Sequence, residues 1–346
     1  MSVKAFLTIF VFLCTPPALL AQGFAGMGAD AEGYALPSPD TRFSFPKDHA
    51  AHNDFRIEWW YVTAVLNDEE GQLYGTQWTL FRNAIRPTGR DQDQIWLGHA
   101  AVSTPKGHFY SERLARGDNG QASVTATPFR AEIDEWAMHG PDPNNAILTA
   151  QGSDFYYKLD LRSEAPFVPQ GDKGFSRKSA QGLASHYYSQ PFYEASGVIE
   201  LPDGPIAVTG KAWMDREWSS QPLSPTQTGW DWFSLHLDSG DKLMGYQLRD
   251  TDADNYVVGT WITSDGVPRP LEPGDLVMRP TDWANVAGRE VPVAWTVRLE
   301  KHTVNVSIEA VYPQSWMPTL VPYWEGPVMV NGSHSGNGYL EMTGYE

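Results

Sequence analysis

Cysteine is nearly absent from this sequence: Cys14 is the single one in 346 residues. A disulfide framework is therefore excluded, and so is a thiolate-built zinc site. Basic residues are also scarce, 25 Lys and Arg against 42 Asp and Glu, which gives a formal net charge of −17. That balance argues against nucleic acid as a partner and, more weakly, against docking on anionic lipid headgroups. No Gly-x-Ser-x-Gly elbow, phosphate-cradling loop or dinucleotide fingerprint occurs, which disfavours a serine α/β-hydrolase, a kinase and a Rossmann oxidoreductase. Sustained 3.6-residue apolar periodicity is missing beyond the N-terminus, so helices are not expected to build the core.

Long uncharged runs are absent too, with one exception. After Met1 to Lys4 the chain runs from Ala5 to Ala21 without a charge, the pattern of a secretory signal peptide, and Pro16-Pro17 interrupt a run already short for a bilayer. Residues 1–21 are read as a cleaved leader, with the cut near Ala21-Gln22 or a few residues on, among Ala25 to Ala29. Cys14 follows Leu13 rather than a small residue, so it is not read as a lipidation site. A periplasmic or secreted protein without stable membrane insertion is expected. Its mature part of about 325 residues carries no cysteine, so hydrophobic cores must supply the stability, as one large or two ordinary domains.

What the chain does have is aromatic and β-branched stretches of five to nine residues between clusters of Gly, Pro, Asn and Asp. Examples are Glu58–Leu66, Tyr74–Arg82, Val198–Leu201, Trp230–Asp238, Lys242–Arg249, Val293–Leu299 and Val304–Val311. They predict an all-β protein. An internal match supports two halves: Trp60-Tyr61 through Leu66, a turn and Leu73-Tyr74-Gly75-Thr76-Gln77 recur as Trp232-Phe233 through Leu237, a turn and Leu243-Met244-Gly245-Tyr246-Gln247. The polar, Pro-containing stretch 219–226 reads as the seam. The expected organisation is a leader (1–21), a loose Gly-, Ala- and Pro-rich arm (22–40), and β domains at 41–220 and 221–346. Fourteen tryptophans suit either a lined cavity or wide, Trp-filled cores.

Phe45-Pro46-Lys47-Asp48-His49 through His52, Glu58-Trp59-Trp60-Tyr61, Gly210 to Trp218, Tyr323-Trp324-Glu325-Gly326 and Gly338 to Tyr345 together resemble the AttH and carotenoid hydratase-like family of lipocalin-related proteins. The resemblance spans nearly all of the mature chain. It implies two lipocalin-like β-barrels in tandem, an exported protein, no organic cofactor and a hydrophobic small molecule as ligand. Members are often described as predicted secreted hydrolases, and related branches hydrate isoprenoid double bonds or promote ring closure. Where the hydratases carry His, this chain has Arg216, and their Tyr-x-Asp element falls near Tyr246, with Asp250 displaced. Both departures argue against carotenoid hydration itself.

Water addition to an alkene needs an acid strong enough to protonate carbon, and hydrolysis needs a base for water and a donor for the leaving group. Carboxylates among tryptophans meet either need. Glu58 is the first candidate, sharing a strand face with Trp60 and Val62, although a structural ion pair with Arg56 or Arg82 would also explain it. Asp215 and Glu217 are the second, on one strand face with Trp213, while Met214, Arg216 and Trp218 face the other way; a rim ion-pair network is the alternative. Trp60, Trp213, Trp218, Trp232, Tyr246, Tyr187 and His99 are the expected ligand-lining residues, His99 doubling as a candidate core histidine. His49 and His52 have metal-like spacing only on a helix and no third donor nearby, so no metal is expected. Three functions remain open: a cofactor-independent enzyme with its site in the first barrel or between the barrels, a carrier of a lipophilic compound, and a structural partner with filled barrels.

Overall fold

The computed structural model describes residues 31–345; the expected leader and residues 22–30 of the expected arm lie outside them. Residues 31–40 carry no strand, and Tyr34 Oη donates to the Ala84 carbonyl (2.9 Å) while the Ala35 amide donates to Asp54 O (2.9 Å).

The described chain is all-β, with a 13-stranded sheet followed by a 10-stranded one. Each is built in the same way. The opening strand of the first, Ile57–Asn67, pairs with Leu73–Ala84 on one side and with the sheet's last strand, Gly204–Ser219, on the other. The opening strand of the second, Gln227–Leu237, pairs likewise with Lys242–Asp250 and with the final strand, Gly336–Thr343. The tight first hairpin follows from local chemistry. Gly71 takes φ +80°, and Asp68 Oδ1 accepts the amides of Glu70 and Gln72, both at 2.9 Å.

Both sheets curl around interiors filled by their own side chains, giving two lipocalin-like barrels. Trp60, Trp78, Trp136, Met138 and Trp218 fill the first, and Phe233, Leu235, Trp295, Trp324 and Met342 the second. A third buried cluster lies between them, including Tyr61, Val65, Tyr187, Trp213, Trp232, Tyr246 and Tyr339. The strand Ile57–Asn67 therefore has apolar contacts on both faces, and its sequence shows no alternation of apolar and polar residues. At the seam the backbones come close: a Cβ on Gly75 would lie 2.7 Å from Pro327 Cδ.

The recurring hairpin carries a correction. Aligned by their motifs, Trp60 matches Trp232 and Gly75 matches Gly245, yet Trp60 fills the first barrel whereas Trp232 sits outside the second. A Cβ on Gly75 would meet Pro327 across the seam, and one on Gly245 would meet Leu276 and Phe233 in the second core. The hairpins correspond with a one-residue offset, and in a strand that offset exchanges the two faces.

Candidate active site between the barrels

The seam holds a partly open cavity of ≈ 270 Å³, with the exposed Leu114 and Leu320 at its rim. Its floor is the outer face of the first barrel, laid down by strand register in two rows. One row runs Glu112, His99, Thr79, Tyr61, Asp215, Ser189 across six strands; the next runs Leu114, Leu97, Phe81, Trp59, Glu217, Tyr187. The first row is polar and the second mostly apolar, so the floor grades from hydrogen-bonding to greasy within one residue pair. The roof comes from the second barrel, where register places Tyr246, Trp232, Glu341 and Glu325 side by side, with Trp230, Leu248, Thr343 and Tyr323 beside them. Tyr61 and Trp232 meet edge-on across the seam, ring centroids 5.3 Å apart.

Asp215 is 2 % exposed. Its Oδ2 accepts from Tyr187 Oη (2.5 Å), and its Oδ1 accepts from Ser189 Oγ (2.5 Å) and Trp213 Nε1 (2.6 Å). Burial outweighs these three donors and pushes its pKa up to about 7. Glu341 is raised to about 7 as well, by burial and by the charges of Asp215 and Glu217, against donors from Trp230 and Tyr61. The Trp230 Nε1 to Glu341 Oε1 distance is 2.5 Å. Behind it, burial holds Glu325 well above the carboxylate range. Glu217 differs: Lys178 Nζ lies 2.7 Å from its Oε1 and 4.2 Å from the Tyr246 ring centroid. Burial works against the Lys178 charge, but Glu217 outweighs it and keeps the ammonium protonated. The cavity thus holds one ion pair and two carboxyl groups that exchange protons near neutrality.

Of the residues expected from sequence, Asp215, Glu217, Trp232, Tyr246, Tyr187 and His99 line this cavity, and Trp213 stands behind Asp215 as a donor. Glu58, Trp60 and Trp218 do not line this cavity: they lie on the other side of the first barrel's wall. Glu58 is fully buried between Arg82 and Arg216, which both hydrogen-bond it, and His52 Nδ1 lies 3.2 Å from its Oε2. Burial alone would raise its pKa, but the two guanidinium charges take it well below the usual range, so it is a locked anion rather than a proton donor. Arg216 stacks over Trp60 (3.8 Å) and Trp218 (5.0 Å), and His52 lies flat on Trp218 at 4.0 Å. His49 Nδ1 contacts Tyr188 Oη at 2.7 Å.

Sequence reasoning missed Glu341, Glu325, Tyr61, Tyr323 and Lys178 as site residues. The available signal was an acid inside an apolar strand, as in Tyr339-Leu340-Glu341-Met342 and Tyr323-Trp324-Glu325. Such an acid must be paired or neutral if both strand faces are buried.

Two antiparallel barrels in tandem, with filled interiors and an acid-lined cavity at the seam, define a protein of the lipocalin-like, two-barrel class. Within that class the chain belongs to the AttH-like family, whose model matches residues 36–345. It is similar to an AttH protein of Nitrosomonas europaea of known structure, with 33% identity, a TM-score of 0.82, and coverage of 90% of this chain and 100% of that one. Kievitone hydratase from Nectria haematococca has the same fold, at 13% identity and TM-score 0.65, covering 89% of this chain and 97% of its own. No curated protein matches the chain. Among the described residues no helix is long and apolar enough to cross a membrane.

Proposed function

We propose that the cavity is the active site of an exported, cofactor-independent acid–base enzyme that adds water to, or hydrolyses, a compact hydrophobic small molecule. The observation that carries this reading is the pair Asp215 and Glu341, two carboxyl groups raised to about 7 within one apolar cavity. A general acid and base work best when their pKa values lie near the working pH. A carrier has no use for two such groups, whose burial costs stability.

The environments suggest the division of labour. Asp215 receives three donors that favour its anion, so it acts as the base toward water. Glu341 lies near Asp215 and Glu217, whose charges favour its neutral form, so it is the acid. In hydration, the Glu341 proton moves to one alkene carbon and positive charge develops on the other. Water adds to that carbon and its proton passes to Asp215. Trp59, Trp230 and Trp232 line the cavity, and aromatic side chains stabilise a developing cation. A volume of ≈ 270 Å³ sits just under the usual range of roughly 300–1,000 Å³ for ligand pockets, which favours a monoterpenoid or small phenolic over a carotenoid. The hydratase name of the Nectria structural neighbour agrees with water addition.

The test is native mass spectrometry of the protein isolated from its own compartment, followed by turnover of the recovered compound class in H₂¹⁸O. Incorporation of ¹⁸O that disappears in Asp215→Asn and Glu341→Gln supports the reading. A bound compound returned unchanged, with no incorporation by the wild type, sinks it in favour of carriage.

A further inference from the structure

The two ends of the cavity differ in kind. At the rim stand Leu114 and Leu320, 54% and 68% exposed. From Leu114 the floor runs inward through Leu97, Phe81 and Trp59 to Glu217, which strand register places four strands away, on the order of 19 Å along the sheet. A hydrophobic compound entering at the rim crosses an apolar lane and ends against the buried ion pair of Glu217 and Lys178. A ligand that is apolar throughout would leave the polar groups of that pair facing hydrocarbon, which is unfavourable.

Lys178 is placed for a partner in the cavity. Its backbone is fixed on both sides: its amide donates to Leu183 O (2.6 Å) and its carbonyl accepts from Gln227 Nε2 (2.9 Å). Its side chain is 8% exposed and lines the cavity. An ammonium carries three N–H donors. Around this one lie a carboxylate, with Glu217 Oε1 at 2.7 Å, and two rings, Tyr246 at 4.2 Å and Tyr187 at 5.2 Å. The Tyr246 hydroxyl is already engaged, 2.9 Å from Ser176 Oγ and donating to the Arg177 carbonyl at 3.1 Å. One carboxylate oxygen does not take up three donors, so the ammonium keeps donor capacity toward the cavity. The charge of the pair is balanced, and Asp215 stands two residues from Glu217 on the same strand face. A carboxylate ligand would bring a further anion among these acids, whereas a hydroxyl or carbonyl oxygen accepts a hydrogen bond without adding charge.

We propose that Lys178 orients the ligand: its ammonium donates a hydrogen bond to a neutral oxygen, hydroxyl or carbonyl, at one end of a molecule whose hydrocarbon end lies toward Leu114 and Leu320. The ligand class narrows from a hydrophobic small molecule to an oxygenated, amphipathic one. This deepens the proposed function and rests on the cavity being a ligand site. Lys178 takes no part in the proton transfers assigned to Asp215 and Glu341; it selects compounds and fixes which way round they enter.

Calorimetric binding of 2-acetylnaphthalene and 2-ethylnaphthalene, which differ mainly in one carbonyl oxygen, to the full chain tests the assignment. The readout is the ratio of the two affinities. In Lys178→Met combined with Glu217→Gln, which strands neither charge, the preference for the ketone is expected to fall at least about tenfold. In the wild type the ratio is expected to be the same at pH 6 and pH 9, within about twofold. Protonated Asp215 or Glu341 would also donate to a carbonyl, but both lose their protons as pH rises through about 7, whereas Glu217 keeps Lys178 protonated. A ratio unchanged in the folded double variant would overturn the role of Lys178. So would a wild-type ratio that collapses between pH 6 and 9, a result that needs no variant to fold. Tighter binding of 2-naphthoate than of the ketone would overturn the neutral oxygen. The acid–base reading fails separately, by absence of ¹⁸O incorporation, and that failure leaves the preference for the ketone standing.

Discussion

Tyr61 of the first barrel and Glu325 of the second, 264 residues apart in sequence, share a hydrogen bond across the seam. Neither barrel contains a site alone: Asp215 comes from one and Glu341 from the other, and the apolar contacts of the interface hold them around one cavity. Removing the side chains that keep the walls apart or together should therefore act on the cavity before it acts on either core. In Gly75→Ala the new methyl would meet the Pro327 ring at 2.7 Å. A loss on the order of 1–3 kcal/mol is expected, with near-ultraviolet dichroism of the interface aromatics changed and far-ultraviolet β signal retained.

The acids predict an unusual pH profile of stability. Asp215 and Glu341 have folded pKa values of about 7 against 3.8 and 4.5 for the free groups. The folded state binds these protons more tightly, so their contribution is complete below about pH 4 and is lost as pH rises through 7. Glu58 has the opposite sign: its folded pKa is depressed below 4.5, and its contribution is lost on further acidification. Maximum stability should fall near pH 4 to 4.5, and the loss between pH 5.5 and 8.5 should be on the order of 2 kcal/mol per raised acid. Denaturant titrations at pH 5.5 and 8.5 measure it. The double variant Asp215→Asn with Glu341→Gln should flatten the slope; a wild type equally stable at both values would contradict the raised acids.

Glu58→Gln separates structure from site. The substitution leaves the Arg82 and Arg216 guanidiniums buried with one hydrogen-bonding amide in place of an anion. Breaking a buried pair in this way costs about 3–5 kcal/mol. Binding of a hydrophobic ligand in the cavity should be unchanged at low temperature, because Glu58 lies inside the first barrel. A stable variant that has lost ligand binding would return Glu58 to the site.

Lys178 and Glu217 should behave as a unit. Lys178→Met strands a carboxylate and Glu217→Gln strands an ammonium, and each is expected to cost about 3–5 kcal/mol. The double variant should cost clearly less than the two added together. Additive losses in the thermodynamic cycle would show that the pair at 2.7 Å is not coupled.

How much of this was readable beforehand follows from strand geometry. Alternation along residues 213–218 was enough to send Trp213, Asp215 and Glu217 one way and Met214, Arg216 and Trp218 the other, and they lie so. The same rule put Glu58 with Trp60, correctly, but nothing in the sequence says that this face looks into a filled barrel. The arginine that would have settled the matter, Arg216, reaches Glu58 only through pairing of strands some 150 residues apart. Glu341 was hidden for a related reason. Its partners Trp230 and Tyr61 come from the opening strands of two different barrels, and a long-range contact of that kind leaves no local pattern.

The claim on which the account rests is that the seam holds two carboxyl groups that are protonated near neutral pH. Equilibrium infrared titration of the wild type, Asp215→Asn and Glu341→Gln between pH 5 and 9 tests it directly. The account predicts carboxylic-acid absorption that fades with a midpoint near 7, with one component missing from each variant. Identical spectra for all three proteins above pH 6 would contradict it.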